Sequence, residues 1–332
     1  MGGVLATGCG AGGSTTPHAS ATASARTDVP EPARAPALTA SPAGRVVPLA
    51  GEPEGLAVCE QDGLAAVGVR SPDGVALVDL ATGAVRRVVK LPGAPRHLAL
   101  AGPGGPVLAP AEQVGELYQL SLPDGAVLAT TRVGRQPHDA AAAGSTIFVG
   151  NEYSDTVSLV RGGRQVAVLP APVQPGGVAA SPDGAVVVVV GVRGRRIQAY
   201  TADGRPLGTA PCGVGPTHVC AGTAGLFYVA DTEGDAVLVY QVTANGIAQV
   251  GRAPTAGRAP YGIAFDATRD LLYVTLTADN ALQSFRASGA SLVPDRSWPT
   301  VRQPNSVGVE QRTGQVLVTG TADNRLQFIA AV

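Results

Sequence analysis

Seven times between residues 53 and 309 the sequence restates one phrase: a proline, two variable residues, then an apolar–small–apolar triplet. It reads Pro53-Glu54-Gly55-Leu56-Ala57-Val58, then Pro95-Arg96-His97-Leu98-Ala99-Leu100, then Pro137-His138-Asp139-Ala140-Ala141-Ala142. It returns at Pro175, Pro216, Pro260 and Pro304, so the prolines stand 38 to 44 residues apart. A period near 40 to 45 residues with strand-like content is what a four-stranded propeller blade needs. Four places past each proline only Ala, Cys or Gly occurs, as in Ala141, Cys220 and Gly308. That column suits an innermost strand, where neighbouring blades crowd toward a common axis.

Within each repeat a second and a third apolar run follow, such as Phe227-Tyr228-Val229-Ala230-Asp231 and Val237-Leu238-Val239-Tyr240. Turn pairs such as Asp203-Gly204 and Asn245-Gly246 supply the positive φ angles that tight hairpins demand. The 44 glycines and 27 prolines fit many short strands joined by turns, and fit long amphipathic helices badly. The seventh repeat ends after its third strand, and Arg45-Val46-Val47-Pro48-Leu49 parallels the fourth-strand run Arg87-Val88-Val89-Lys90-Leu91. The fold class expected is therefore all-β: a seven-bladed β-propeller over residues 44–332, its last blade closed by an N-terminal strand.

Residues 1–9 read as the remnant of a lipoprotein signal. Val4-Leu5-Ala6-Thr7-Gly8-Cys9 places small side chains before a cysteine, as a lipobox does, and Cys9 is the expected lipidation site. Leu5 lies four residues before Cys9 rather than three, and no basic or fully apolar segment precedes it. The expectation is a true start upstream of Met1, which an in-frame stop codon just before Met1 would sink. Residues 10–43, rich in Ala, Ser, Thr and Pro, are expected to form a disordered tether. The protein would then be extracytoplasmic and monomeric, touching membrane only through its lipid. A net charge of −1 argues against nucleic acid, which needs a basic face. The longest apolar run, residues 185–192, falls far short of the roughly 20 residues of a spanning helix.

The repeats resemble those of the YVTN family of bacterial seven-bladed propellers. Phe148-Val149-Gly150-Asn151 and Tyr273-Val274-Thr275 are the nearest matches to its second-strand motif, and the likeness covers residues 44–332. The resemblance implies a binding or surface protein and assigns no reaction.

A propeller gathers its fourth-to-first and second-to-third connections on one face, around the mouth of the central channel. The candidate ligand-binding residues are therefore those just after the repeat prolines: Glu54, Arg96, His97, His138, Asp139, His218, Tyr261 and Asn305. Strand alternation separates positions one and two past the proline. The second set contains His97, Asp139 and His218, which match a two-histidine, one-carboxylate divalent-metal set. Polar residues at loop entries also serve simply to bind neighbouring backbone. Arg193, Arg195 and Arg196, and the acids Glu152, Asp155, Asp231, Glu233 and Asp235, share that face and read first as solvated loops.

Cys59 and Cys220 read as core, and Cys212 and Cys220 are candidates for a disulfide outside the cytoplasm. No phosphate loop, nucleophile elbow, paired zinc cysteines or haem motif occurs in the sequence. The leading functional expectation is a binding module with no cofactor that presents one face to a protein, cell-wall component or small molecule. The alternative is a metal-assisted lyase or lactonase at the channel mouth. A redox cofactor in the channel is a third reading, supported only by the histidines.

Overall fold

A computed structural model describes residues 1–3 and 31–331; the lipobox and Cys9 lie outside the described residues. Those residues form 28 strands in seven antiparallel four-stranded sheets. Blades 1 to 6 span residues 56–90, 99–132, 137–170, 175–211, 216–254 and 260–299. Blade 7 combines Pro304–Val309, Val316–Gly320 and Arg325–Ile329 with the N-terminal strand Arg45–Pro48. In that closing pair Arg45 stands opposite Phe328 and Pro48 opposite Arg325. The ring is thus fastened by its two chain ends, and no open sheet edge is left at the seam.

The core is divided among the seven seams between blades. Each apolar cluster draws side chains from two adjacent blades; one joins Val188 and Ile197 of blade 4 to Phe227 and Leu238 of blade 5. The last seam joins Leu317 and Phe328 of blade 7 to Val67 and Val78 of blade 1. A single blade cannot cover its own faces, so stability resides in the stacking. The small column four places past each proline belongs to these seams. Ala141 packs toward blade 4 and Ala179 toward blade 5. A Cβ on Gly308 would stand 3.0 Å from Val58 Cγ2 and 3.2 Å from Leu56 side-chain carbons. Crowding explains the column, and it arises between neighbouring innermost strands rather than against the axis itself.

Two expectations change. Cys59, Cys212 and Cys220 are all free thiols. Cys212 lies in the seam between blades 4 and 5, whereas Cys220 packs in the seam between blades 5 and 6. The two sulfurs are thus on opposite faces of blade 5. Residues 33–36, read from composition as tether, lie hydrogen-bonded on the ring, with Ala35 buried.

Candidate functional site at the channel mouth

The repeat prolines set up the mouth by interrupting regular pairing. In blade 3 Pro137 pairs with Asn151 and Asp139 with Gly150, leaving His138 as the extra residue of a bulge. Gly176 and Asn305 are displaced in the same way in blades 4 and 7. In blades 5 and 6 the irregularity spans Thr217-His218 and Tyr261-Gly262. Such bulges re-aim side chains. Simple alternation therefore fails here, and residues one and two past the proline can meet at a single point.

They do so at three imidazoles. His97 Nε2 and His218 Nε2 are 2.9 Å apart, and the ring centroids of His97 and His138 are 4.8 Å apart. One ligand nitrogen from each of His97, His138 and His218 lies within 4.8 Å of the others. His218 Nδ1 sits 3.2 Å from the Tyr261 carbonyl. A carbonyl only accepts, so Nδ1 carries the proton and Nε2 presents a lone pair. His138 Nδ1 faces Glu112 Oε1 at 3.0 Å and Glu152 Oε2 at 3.6 Å. Carboxylates on one ring nitrogen leave the other to face the cluster.

Burial and the neighbouring His138 charge push the His218 pKa down to about 3. Burial, together with the other two imidazoles, holds His97 well below its ordinary value. Burial opposes charge on His138 as well, but its bond to Glu112 and the charge of Glu152 prevail and raise its pKa. Two of the three rings are thus neutral donors at ordinary pH.

Asp139 does not join them. Its Oδ1 accepts from Ala140 N–H and its Oδ2 from Val178 N–H, both at 2.8 Å, tying blade 3 to blade 4. Burial raises its pKa to about 6 in spite of those bonds. The expected set of His97, Asp139 and His218 is corrected to three histidines, because the bulge brings His138 in while Asp139 is spent on backbone.

Beside the imidazoles Glu54 accepts from Arg70 at 2.7 Å, from Arg96 at 3.1 Å and from Asn305 Nδ2 at 3.5 Å. Burial works against the Glu54 carboxylate, but the two guanidiniums outweigh it and lower its pKa. Tyr261 Oη lies 3.5 Å from Arg96, and its ring meets His218 edge-on at 4.3 Å. Seven of the eight candidate residues therefore gather around the mouth in two linked groups, with Asp139 beside them on backbone amides. Beneath them the channel holds a chamber of about 340 Å³. Its wall mixes apolar side chains such as Leu98, Val178, Val219 and Ile263 with the polar groups of His97, Asp139, Ser181, His218 and Ser306.

Glu112 was not among the expected residues. It follows the second strand of blade 2, as Arg70 does in blade 1, Glu152 in blade 3 and Thr232 in blade 5. That column forms a third ring at the mouth: Arg70 reaches Glu54, and Thr232 bonds Thr217 at 2.7 Å. Alignment of the repeats on this position is the signal that finds it. Of the loop charges, Arg195 pairs at the surface with Glu233 at 3.6 Å. Asp155 and Asp235 accept backbone N–H groups of the connection to the following blade, and Asp231 accepts from the connection that enters its own blade.

No protein-family model matches the chain, and no curated protein matches it. Many solved structures share its architecture. It is similar to hydrazine synthase of Kuenenia stuttgartiensis, with 16% identity, 86% of this chain and 96% of that one covered, and a TM-score of 0.72. The Cps50 (Swd1) β-propeller domain of Myceliophteria thermophila gives 13%, 87% and 100%, with a TM-score of 0.72. Virginiamycin B lyase from Staphylococcus aureus gives 12%, 87% and 99%, with a TM-score of 0.71. At these identities the likeness is one of fold.

Proposed function

We propose that this chain is a ligand-binding propeller acting through the mouth of its central channel, where His97, His138 and His218 hold a divalent transition metal. The observation that carries the reading is the 2.9 Å contact between His97 Nε2 and His218 Nε2, with His138 alongside. Imidazole nitrogens bind zinc at about 2.0–2.1 Å, so two of them stand about 3.3 Å apart at a tetrahedral angle and about 2.9 Å apart at the right angle of an octahedral site. Without an ion the same contact is an N–H···N bond from His97 to His218. The second layer favours the ion: the Tyr261 carbonyl and Glu112 fix the far nitrogens of two rings, as metal-ligating histidines require. An all-imidazole set suits zinc, copper, nickel or iron better than calcium or magnesium.

Co²⁺ titration of the full chain, purified without a polyhistidine tag, tests this reading. One equivalent should bind with a visible ligand-field band, lost in His97→Ala and His218→Ala. Binding that survives both substitutions, or none at all, refutes it.

A second reading, a metal-assisted lyase or lactonase, is favoured by the chamber directly beneath the imidazoles. Three protein ligands leave a position for substrate, whose carbonyl the ion would polarise. Turnover of a lactone panel that depends on His218 supports it, and binding without turnover leaves the module. The repeats' likeness to the YVTN propellers supports the binding module and membership of that family. The lipobox supports attachment outside the cytoplasm through Cys9; a Cys9→Ala chain that still partitions with membranes contradicts it.

A further inference from the structure

A short stretch of the chain lies across the mouth. Residues 31–36, Glu31-Pro32-Ala33-Arg34-Ala35-Pro36, carry no regular secondary structure. Thr277 Oγ1 accepts from Ala33 N–H at 3.1 Å, and Gln303 Oε1 accepts from Ala35 N–H at 2.8 Å. Gln303 Nε2 donates to the Ala33 carbonyl at 2.8 Å, and Asn280 Nδ2 to that of Pro36 at 3.0 Å. Arg302 donates to the carbonyls of Ala35 and Pro36 at 3.2 and 3.1 Å. Each of these bonds joins a ring side chain to strap main chain. The groove therefore holds an extended backbone by hydrogen bonds and buries the small side chain of Ala35. Pro32 and Pro36 restrict the free segment, which lowers the entropy lost on docking.

Docking there also brings a strap side chain to the mouth. Glu31 reaches Arg96 at 3.5 Å from the other side of the mouth. With His138, Glu152, His218 and Tyr261 it encloses a space of only about 10 Å³. That is about the least that admits one water. With the strap down, His138 and His218 are buried beneath this face. Its contacts are few, polar and partly exposed, the pattern of a segment that opens without unfolding the ring.

We propose that residues 31–36 are a lid docked in cis on a main-chain-reading groove of blades 6 and 7, and that its release admits ligand to the histidines. The proposal rests on the mouth being the binding site, and it needs no ion to be tested. Trypsin cleavage at Arg34–Ala35 reports release, since Arg34 is exposed but its neighbours are tied down. Diethyl pyrocarbonate modification of His138 and His218, located by mass spectrometry, reports access. Both are measured on the full chain, on Gln303→Ala, and on Ala33→Pro, which removes one strap N–H and leaves every ring residue in place.

One lost hydrogen bond shifts a local equilibrium about fivefold. Ala33→Pro should therefore raise both rates about fivefold, and Gln303→Ala, which loses two, about 25-fold. Faster cleavage with unchanged histidine modification would show a strap that docks without gating. Equal cleavage in all three chains would show that it does not dock. Either result overturns the lid. A failure to bind Co²⁺ would remove the metal centre alone, since neither reagent depends on it.

Discussion

Replacing Glu54 by Gln tests whether the mouth is built on a buried charge network. Glu54 is 4% exposed and accepts from two guanidiniums, of which Arg96 has a side chain only 17% exposed. The substitution keeps the shape and removes the charge. Arg70, whose side chain is 30% exposed, recovers part of its hydration, but Arg96 keeps Glu31, 3.5 Å away and 56% exposed, and the more distant charge of Glu112. Breaking a buried pair from one side costs about 3–5 kcal/mol, and the partial exposure of Arg70 places this case near the lower end, at roughly 3 kcal/mol. The sign with pH follows from the lowered Glu54 pKa. The carboxylate stabilises the fold above the ordinary pKa of about 4.3 and loses that contribution as pH falls through its depressed folded value. The gap between parent and Glu54→Gln should thus be full at pH 7 and shrink on acidification. Urea unfolding at pH 7 and pH 3.5 measures it, with Arg96→Met added to each chain. Removing both partners should cost less than removing Glu54 alone. A single substitution costing under about 0.5 kcal/mol, the range of ordinary surface changes, or a gap that widens in acid, would refute the reasoning.

Other consequences follow from the ring. Removal of residues 44–52 strips the closing strand from Arg325–Ile329 and should lower thermal stability and expose a pairing edge; unchanged calorimetric unfolding would contradict closure. Gly308→Val forces carbon into a site where a Cβ already meets Val58 at 3.0 Å, and should cost about 1–3 kcal/mol in urea unfolding. Glu112→Ala, by leaving His138 Nδ1 to the more distant Glu152, should weaken Co²⁺ binding about 10- to 100-fold without abolishing it. Calorimetric titration reads that change, and unaltered affinity would detach Glu112 from the site.

The fold was legible because the repeat proline and the small residue four places on recur in every blade, and each has a steric reason. The candidate residues were legible as a group for the same cause. Their grouping was not. His138 and His218 occupy different repeat positions, and only the bulge after Pro137, invisible to a count of alternation, brings both rings to one point. Asp139 looked like a ligand because its type fits, while its actual partners, the Ala140 and Val178 amides, carry no signature in sequence. The strap was hidden more thoroughly. Its Ala and Pro residues read as spacer, and the groove that holds it bonds main chain, which every residue possesses.

The proposed metal centre takes one histidine from each of blades 2, 3 and 5. Crystals of the full chain grown with one equivalent of Co²⁺, with diffraction recorded on both sides of the cobalt absorption edge, test it most directly. A single anomalous peak is expected within about 2.2 Å of a nitrogen of each of His97, His138 and His218. A peak on surface carboxylates alone, or an empty mouth with His97 and His218 still in direct contact, would contradict it.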